Sequence, residues 1–173
     1  MGKRSNFERN PRDFYRTPEA AVLPFIKHLD PSDSFVEPCA GDGALLDILL
    51  SNGLLCVGAF DIHPLRGDVA YGDATTDLAP IGCDCYITNP PWDRKVLHPI
   101  IRNLAAHRPT WLLFDADWMH TKQATEFFPW LVKVVSIGRV KWIPDSKMTG
   151  KDNCCWYLFD DNNNGPPLFY GRE

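Results

Sequence analysis

A doubly wound, mostly parallel α/β sheet with flanking helices, in a single domain, is predicted by three features of the sequence. Short apolar segments alternate with stretches of helical periodicity, the rhythm of strand–helix crossovers that cover both faces of a parallel sheet. Residues 34–50 hold one complete unit of this kind: the run Ser34-Phe35-Val36-Glu37, a glycine loop at Gly41-Asp42-Gly43, and a leucine-rich stretch from Ala44. The last two apolar segments, 132–137 and 154–159, have no helical stretch between them, which predicts an antiparallel hairpin at the edge of the sheet. With 173 residues, 45% of them apolar, the chain suffices for one sizeable core.

Taken in order, residues 1–13 are polar and basic and read as a flexible arm, residues 14–160 as the folded domain and 161–173 as a tail. Thr17-Pro18-Glu19 is a helix start, with Thr17 as N-cap and Pro18 in the first helical position. Ala20, Ala21, Val22, Phe25, Ile26 and Leu29 follow on one apolar face, which Pro24 shortens or kinks. After a turn at 30–33 come the first strand, the glycine loop and a helix offering Leu45, Leu46, Leu49 and Leu50 for burial. The next strand, 54–60, ends at Asp61, and Ile62-His63-Pro64 breaks the pattern. Val69-Ala70-Tyr71 leads into Gly72-Asp73-Ala74-Thr75. Cys85-Tyr86-Ile87-Thr88 is a buried strand, stopped after Asn89 by two prolines that cannot extend a ladder. Val96, Leu97, Ile100, Ile101 and Leu104 recur at helical spacing over 95–106, interrupted by Pro99. A strand at 111–114 and a helix over 118–130 carrying Met119, Phe127 and Phe128 precede the hairpin, whose loop, 143–153, contains Pro, Gly and Lys. The tail, with Asn162-Asn163-Asn164-Gly165-Pro166-Pro167, reads as turn-rich and loosely held.

No run of 18 apolar residues occurs and the N-terminus lacks an apolar core, so neither a membrane span nor a secretory signal is expected and the cytoplasm is the expected location. The six cysteines lack the two-residue spacing of zinc or thioredoxin-type pairs and read as reduced packing residues, with no metal site. A net charge of −4 does not announce a nucleic-acid binder, but the charge is unevenly spread. Lys3, Arg4, Arg9, Arg12 and Arg16 lie at one end and Lys133, Arg139, Lys141, Lys147 and Lys151 at the other, around an acidic middle. Such segments are either a solvated surface or, if they converge, a grip on a phosphate backbone.

Ligands of a doubly wound sheet bind at the carboxyl ends of its strands. Glu37, Asp61, Asp73 and Asn89 follow four successive apolar segments and are expected at one edge. Gly41 and Gly43 permit close approach, while the missing third glycine argues against a dinucleotide fingerprint. Asp61 is spaced to hold ribose hydroxyls, and a cationic group is favoured near Glu37, so the ligand reads as nucleoside-like. In Asn89-Pro90-Pro91-Trp92 the amide both donates and accepts, the prolines leave their carbonyls free and the indole offers a flat face. That combination suits a planar polar ring such as a nucleobase; alone it reads equally as a turn.

Together these residues resemble the class I S-adenosylmethionine-dependent methyltransferases, specifically the adenine-N6 type typified by small phage and prophage DNA enzymes, over residues 14–159. The resemblance implies a Rossmann-like fold and S-adenosyl-L-methionine as cofactor. It implies that Glu37, Cys39, Ala40, Gly41, Asp42 and Gly43 hold the methionine portion, with Asp61 and Ile62 at the ribose and Asp73 and Ala74 beside the adenine. Tyr15-Arg16-Thr17-Pro18 resembles the family's N-terminal cofactor segment, which puts Tyr15 in the site and Thr17 near the cofactor's carboxylate. Asn89, Pro90, Pro91 and Trp92 match the catalytic motif, with Asn89 also at the cofactor and Trp92 stacking on the target base. The implied reaction is methyl transfer to the exocyclic amine of adenine in DNA, in a bacterial or phage-infected cell, with no role for Asp93, His63, His98 or His120 as base. The same tetrapeptide pattern serves RNA adenine and protein glutamine, and a non-catalytic nucleic-acid-binding module with a relic pocket is the alternative of another class. Larger members carry a separate target-recognition region that is not expected here. Recognition then falls to the N-terminal arm, to Arg139, Lys141, Lys147 and Lys151 around the 143–153 loop, or to a partner, with a homodimer one form of it.

Overall fold

The computed structural model describes residues 14–76, 82–143 and 150–172. Its strands are β1 (Ser34–Glu37), β2 (Leu55–Asp61), β3 (Ala70–Tyr71), β4 (Cys85–Thr88), β5 (Thr110–Asp115), β6 (Leu131–Arg139), β7 (Asn153–Phe159) and β8 (Leu168–Tyr170), and its helices are α1 (Glu19–Ile26), α2 (Ala44–Ser51) and α3 (Arg94–Ala105). They form one sheet in the order β3-β2-β1-β4-β5-β7-β6-β8. All strands run parallel except β7, which is antiparallel to both neighbours. From β1 the chain winds outward through β2 and β3, then returns to lay β4 on the other side of β1. The topological switch point therefore lies between β1 and β4, where a doubly wound sheet opens a crevice.

Period-two alternation distributes the core between the two faces. Phe35, Cys85, Ile87, Trp111, Leu113 and Trp156 pack with α1 and α2 residues, while Val36, Tyr86, Leu112, Phe114, Cys155 and Tyr157 pack on the opposite face with α3. Trp156 fixes α1: its ring stacks on Phe25 at 4.1 Å and its indole N–H donates to the Ala21 carbonyl at 2.8 Å. No helix among the described residues is long and apolar enough to cross a membrane.

The structure departs from the sequence reading at three elements. Residues 116–130 are two 3₁₀ segments, Ala116–His120 and Lys122–Trp130, separated by an extended Thr121. The second buries Ala124 and Phe127 and packs Trp130 against the core, a spacing of three that matches the 3₁₀ repeat rather than 3.6. The antiparallel strands lie at the predicted end of the sheet, but the last strand there is β8, supplied by the tail and paired with β6 from Lys133↔Leu168 to Val135↔Tyr170. Finally, α1 has Pro18 as N-cap with no side-chain cap, and Pro24 sits inside it. The Thr17 hydroxyl is engaged elsewhere.

Candidate active site

Four strands of the parallel half end in polar side chains that converge on one cleft of about 1320 Å³. Glu37 is the last residue of β1, Asp61 the last of β2, Asp73 follows β3 and Asn89 follows β4, and all four line the cleft. Its volume exceeds the roughly 300–1,000 Å³ usual for a small-molecule site, so it has room for a nucleoside-like ligand and a second group beside it.

Glu37 is 1% exposed, and its Oε2 makes no hydrogen bond to any described residue. Burial pushes its carboxyl well above the ordinary glutamate range, and the neighbouring Asp61 charge adds to the rise. Arg66 and the Leu46 backbone amide oppose it. Asp61 accepts from the Gly41 N–H through Oδ2 at 2.8 Å and from the His63 N–H through Oδ1 at 2.7 Å, tying the loop after β1 to the loop after β2. Asp73 takes both the Thr75 N–H and the Thr75 hydroxyl on Oδ1, at 2.8 and 2.7 Å. Asp42 caps the start of α2 through the Ala44 N–H at 3.1 Å and pairs with Arg16 at 3.2 Å. The acids thus shape their own loops while keeping an anionic wall on the cleft, which suits a cationic ligand. Tyr15, Thr17, Cys39, Ala40, Asp42, Ile62 and Ala74 line the same cleft. Burial raises the Cys39 thiol above the ordinary cysteine range, which favours its neutral form.

Gly41 and Gly43 have φ of +54° and +77°, a left-handed conformation costly for any other residue. The groups that approach them are the chain's own. A Cβ on Gly41 would meet the Phe14 ring at 2.6 Å, and one on Gly43 would collide with the Arg66 guanidinium. Arg66 is held there by Asp47 and Asp68.

On the other wall, Asn89 is oriented from both ends of its amide. Nδ2 donates to the Thr17 hydroxyl at 3.1 Å and lies 3.5 Å from the Tyr15 carbonyl, while Oδ1 accepts from the Trp92 indole N–H at 3.3 Å. An indole can only donate and a carbonyl can only accept, so the amide fits one way round. Its oxygen keeps capacity for another donor. Pro90 is buried and Pro91 lines the cleft.

No model of a known protein family matches the sequence, and neither does any curated protein. In three dimensions the chain is similar to a protein assigned as an RNA methyltransferase from Pyrococcus horikoshii, with a TM-score of 0.61 at 16% identity over 91% of this chain and 92% of that one. The dimethyladenosine transferase of Plasmodium falciparum superposes with a TM-score of 0.56 at 17% identity over 85% of this chain and 62% of that one. The M protein of the type I restriction enzyme EcoKI gives 0.55 at 11% identity, over 90% of this chain and 47% of that one. The fold is one that methyltransferases share.

Trp92 anchors the Asn89 loop through its indole. It is half-buried, its N–H also donates to the Leu113 carbonyl at 3.1 Å, and its ring meets Trp142 edge-to-face at 5.5 Å. Trp142 lies just beyond β6, so this contact ties the β6–β7 connection to the Asn89 loop. The Gly150 N–H donates to the Val140 carbonyl at 2.8 Å and closes the base of that connection. Arg139, Lys141 and Lys151 are exposed here, and Lys147 lies outside the described residues. Asp93 caps α3 through the Lys95 N–H, and His98 Nε2 accepts from the Trp118 indole, so both have structural partners. Phe14 and Arg66 escaped the sequence reading as site residues, because each packs against a glycine far away in the chain and no local motif marks it.

Proposed function

We propose that this chain binds S-adenosyl-L-methionine and transfers its methyl group to the exocyclic amine of adenine in nucleic acid, with DNA as the polymer. The observation that carries the reading is the pairing of an acid-lined cleft with a fixed, oxygen-presenting Asn89 amide. The unpartnered, buried Glu37 Oε2 fits a ligand bearing an ammonium group, Asp61 one bearing a ribose, and Asp73 the amine of a purine. When bound, the cofactor supplies a methyl group already activated by sulfonium charge.

The chain's own residues then have a defined task. The lone pair of an adenine amine is delocalised into its ring, and a hydrogen-bond acceptor on the amine strengthens as positive charge develops there during attack. Asn89 Oδ1 and the Pro90 carbonyl act as those acceptors. Asn89 is held in place before the reaction, so no reorganisation is needed when charge appears. Trp92 contributes by holding Asn89, and a duplex target must be flipped out to reach it. Arg139, Lys141 and Lys151 contact phosphates, with further recognition from a partner or a second copy of the chain.

RNA is the second reading, favoured by the likeness over nearly full length to the Pyrococcus protein. Mass spectrometry of nucleosides from DNA and RNA of cells expressing the protein tests both. N6-methyladenine is expected in DNA with the wild type and absent with Asn89→Ala. Its appearance in RNA alone moves the reading to RNA, and its absence from both removes the proposal.

A further inference from the structure

We infer that Thr17 is a positioning residue that sets the catalytic orientation of Asn89, an inference that rests on the proposed methyl transfer. Thr17 is 7% exposed and sits immediately before Pro18, which N-caps α1 without a side-chain bond. Its hydroxyl oxygen accepts from Asn89 Nδ2 at 3.1 Å, across 72 residues of sequence. The other partners of Asn89 are weaker constraints. The Tyr15 carbonyl stands at 3.5 Å, and the Trp92 indole divides its one proton between Asn89 Oδ1 and the Leu113 carbonyl. The Thr17 bond is therefore the shortest of those that orient the amide.

Rotating that amide by half a turn would present N–H donors, in place of the oxygen, to a substrate amine that itself donates, and would replace attraction by repulsion where charge develops. Thr17 is in turn held from three directions. Arg16 pairs with Asp42, the Phe14 ring covers Gly41, and Ala21, one turn into α1, takes the Trp156 indole proton. The segment 14–17 thereby bridges the glycine loop after β1 and the Asn89 loop after β4. Its hydroxyl serves the second of these, not only a ligand in the first.

Comparison of Thr17→Val with Thr17→Ser tests the assignment. Valine keeps the volume and removes the acceptor, so kcat at saturating cofactor and substrate should fall about 10- to 100-fold, the scale of a misplaced reacting group, with cofactor Kd changed less than about twofold. Serine should restore kcat. A raised cofactor Kd with unchanged kcat would show that the hydroxyl serves the cofactor alone and would overturn the inference, as would no change in either constant. Nuclear magnetic resonance of the Asn89 side-chain NH₂ in the substrate-free protein gives a readout independent of turnover. Its two proton shifts should move in Thr17→Val, return in Thr17→Ser, and stay fixed if the bond is absent. A wild type with no methyl transfer to any polymer would defeat the proposed function while leaving this readout intact. Thr17→Ala serves the same comparison if thermal melts show that valine prevents folding.

Discussion

The two halves of the sheet are built to different rules. In β3-β2-β1-β4 three of the four strands are short, β1 and β4 with four residues each and β3 with two beside a seven-residue β2, and the chain leaves them at Glu37, Asp61, Asp73 and Asn89. In β5-β7-β6 they run to six, seven and nine residues and carry stacked aromatic rings, with Phe114 on Tyr157 at 4.2 Å and Trp118 and Phe159 against both. The first half holds groups that are poorly satisfied, notably the Glu37 carboxyl. The second half supplies the burial that lets the fold tolerate them. The unsatisfied buried polar groups and most of the largest buried rings therefore lie in different strands, and substitutions should separate their effects.

The largest expected effect lies in the aromatic half. Trp156→Ala should lower unfolding free energy by about 3–5 kcal/mol, measured by denaturant titration, because it removes a fully buried ring and frees the Ala21 carbonyl. Asn89→Ala should do the reverse. Methyl transfer should drop by at least about 10²- to 10³-fold, to background in a labelled-methyl assay, while stability shifts by no more than about 1 kcal/mol. Equal stability losses in the two variants would break the comparison.

Glu37→Gln should sharpen it. A buried carboxyl with a raised folded-state pKa holds a proton that the unfolded chain has released. Native stability therefore falls as pH rises from the ordinary glutamate range towards that raised value. Glutamine removes the loss, so at neutral pH the ligand-free variant should be more stable than wild type by about 1–3 kcal/mol, and it should lose cofactor affinity. By the same sign, a cationic ligand beside Glu37 favours the carboxylate, and its binding should release a proton. Calorimetry in buffers of different ionisation enthalpy should detect that proton in wild type and not in Glu37→Gln. The smallest effects belong to the exposed cations. Arg139→Ala, Lys141→Ala and Lys151→Ala should each reduce the salt dependence of nucleic-acid binding by about one unit of slope, with no change in melting temperature.

The site half was legible in the sequence because its signals are local. Glycines after β1, a lone acid after β2 and a double proline after β4 each end a short apolar run, and the switch point brings those ends together. Thr17 shows where local reading stops. Thr-Pro-Glu is a sound capping signal, yet the hydroxyl finds Asn89, a partner visible only once the chain is folded. Likewise, no local signal showed that the Trp92 N–H would go to the Leu113 carbonyl, 21 residues away. The 3₁₀ segments and β8 escaped for related reasons. A spacing of three in 122–130 sits too close to 3.6 to separate by eye, and Leu168-Phe169-Tyr170 becomes a strand only because β6 offers it a free edge.

The most direct test of the account uses purified protein, methyl-labelled S-adenosyl-L-methionine and unmethylated DNA or RNA. Label is expected on the exocyclic nitrogen of adenine in DNA with the wild type, and none above background with Asn89→Ala. Label retained in Asn89→Ala, or bound cofactor with no transfer to either polymer by the wild type, would contradict it.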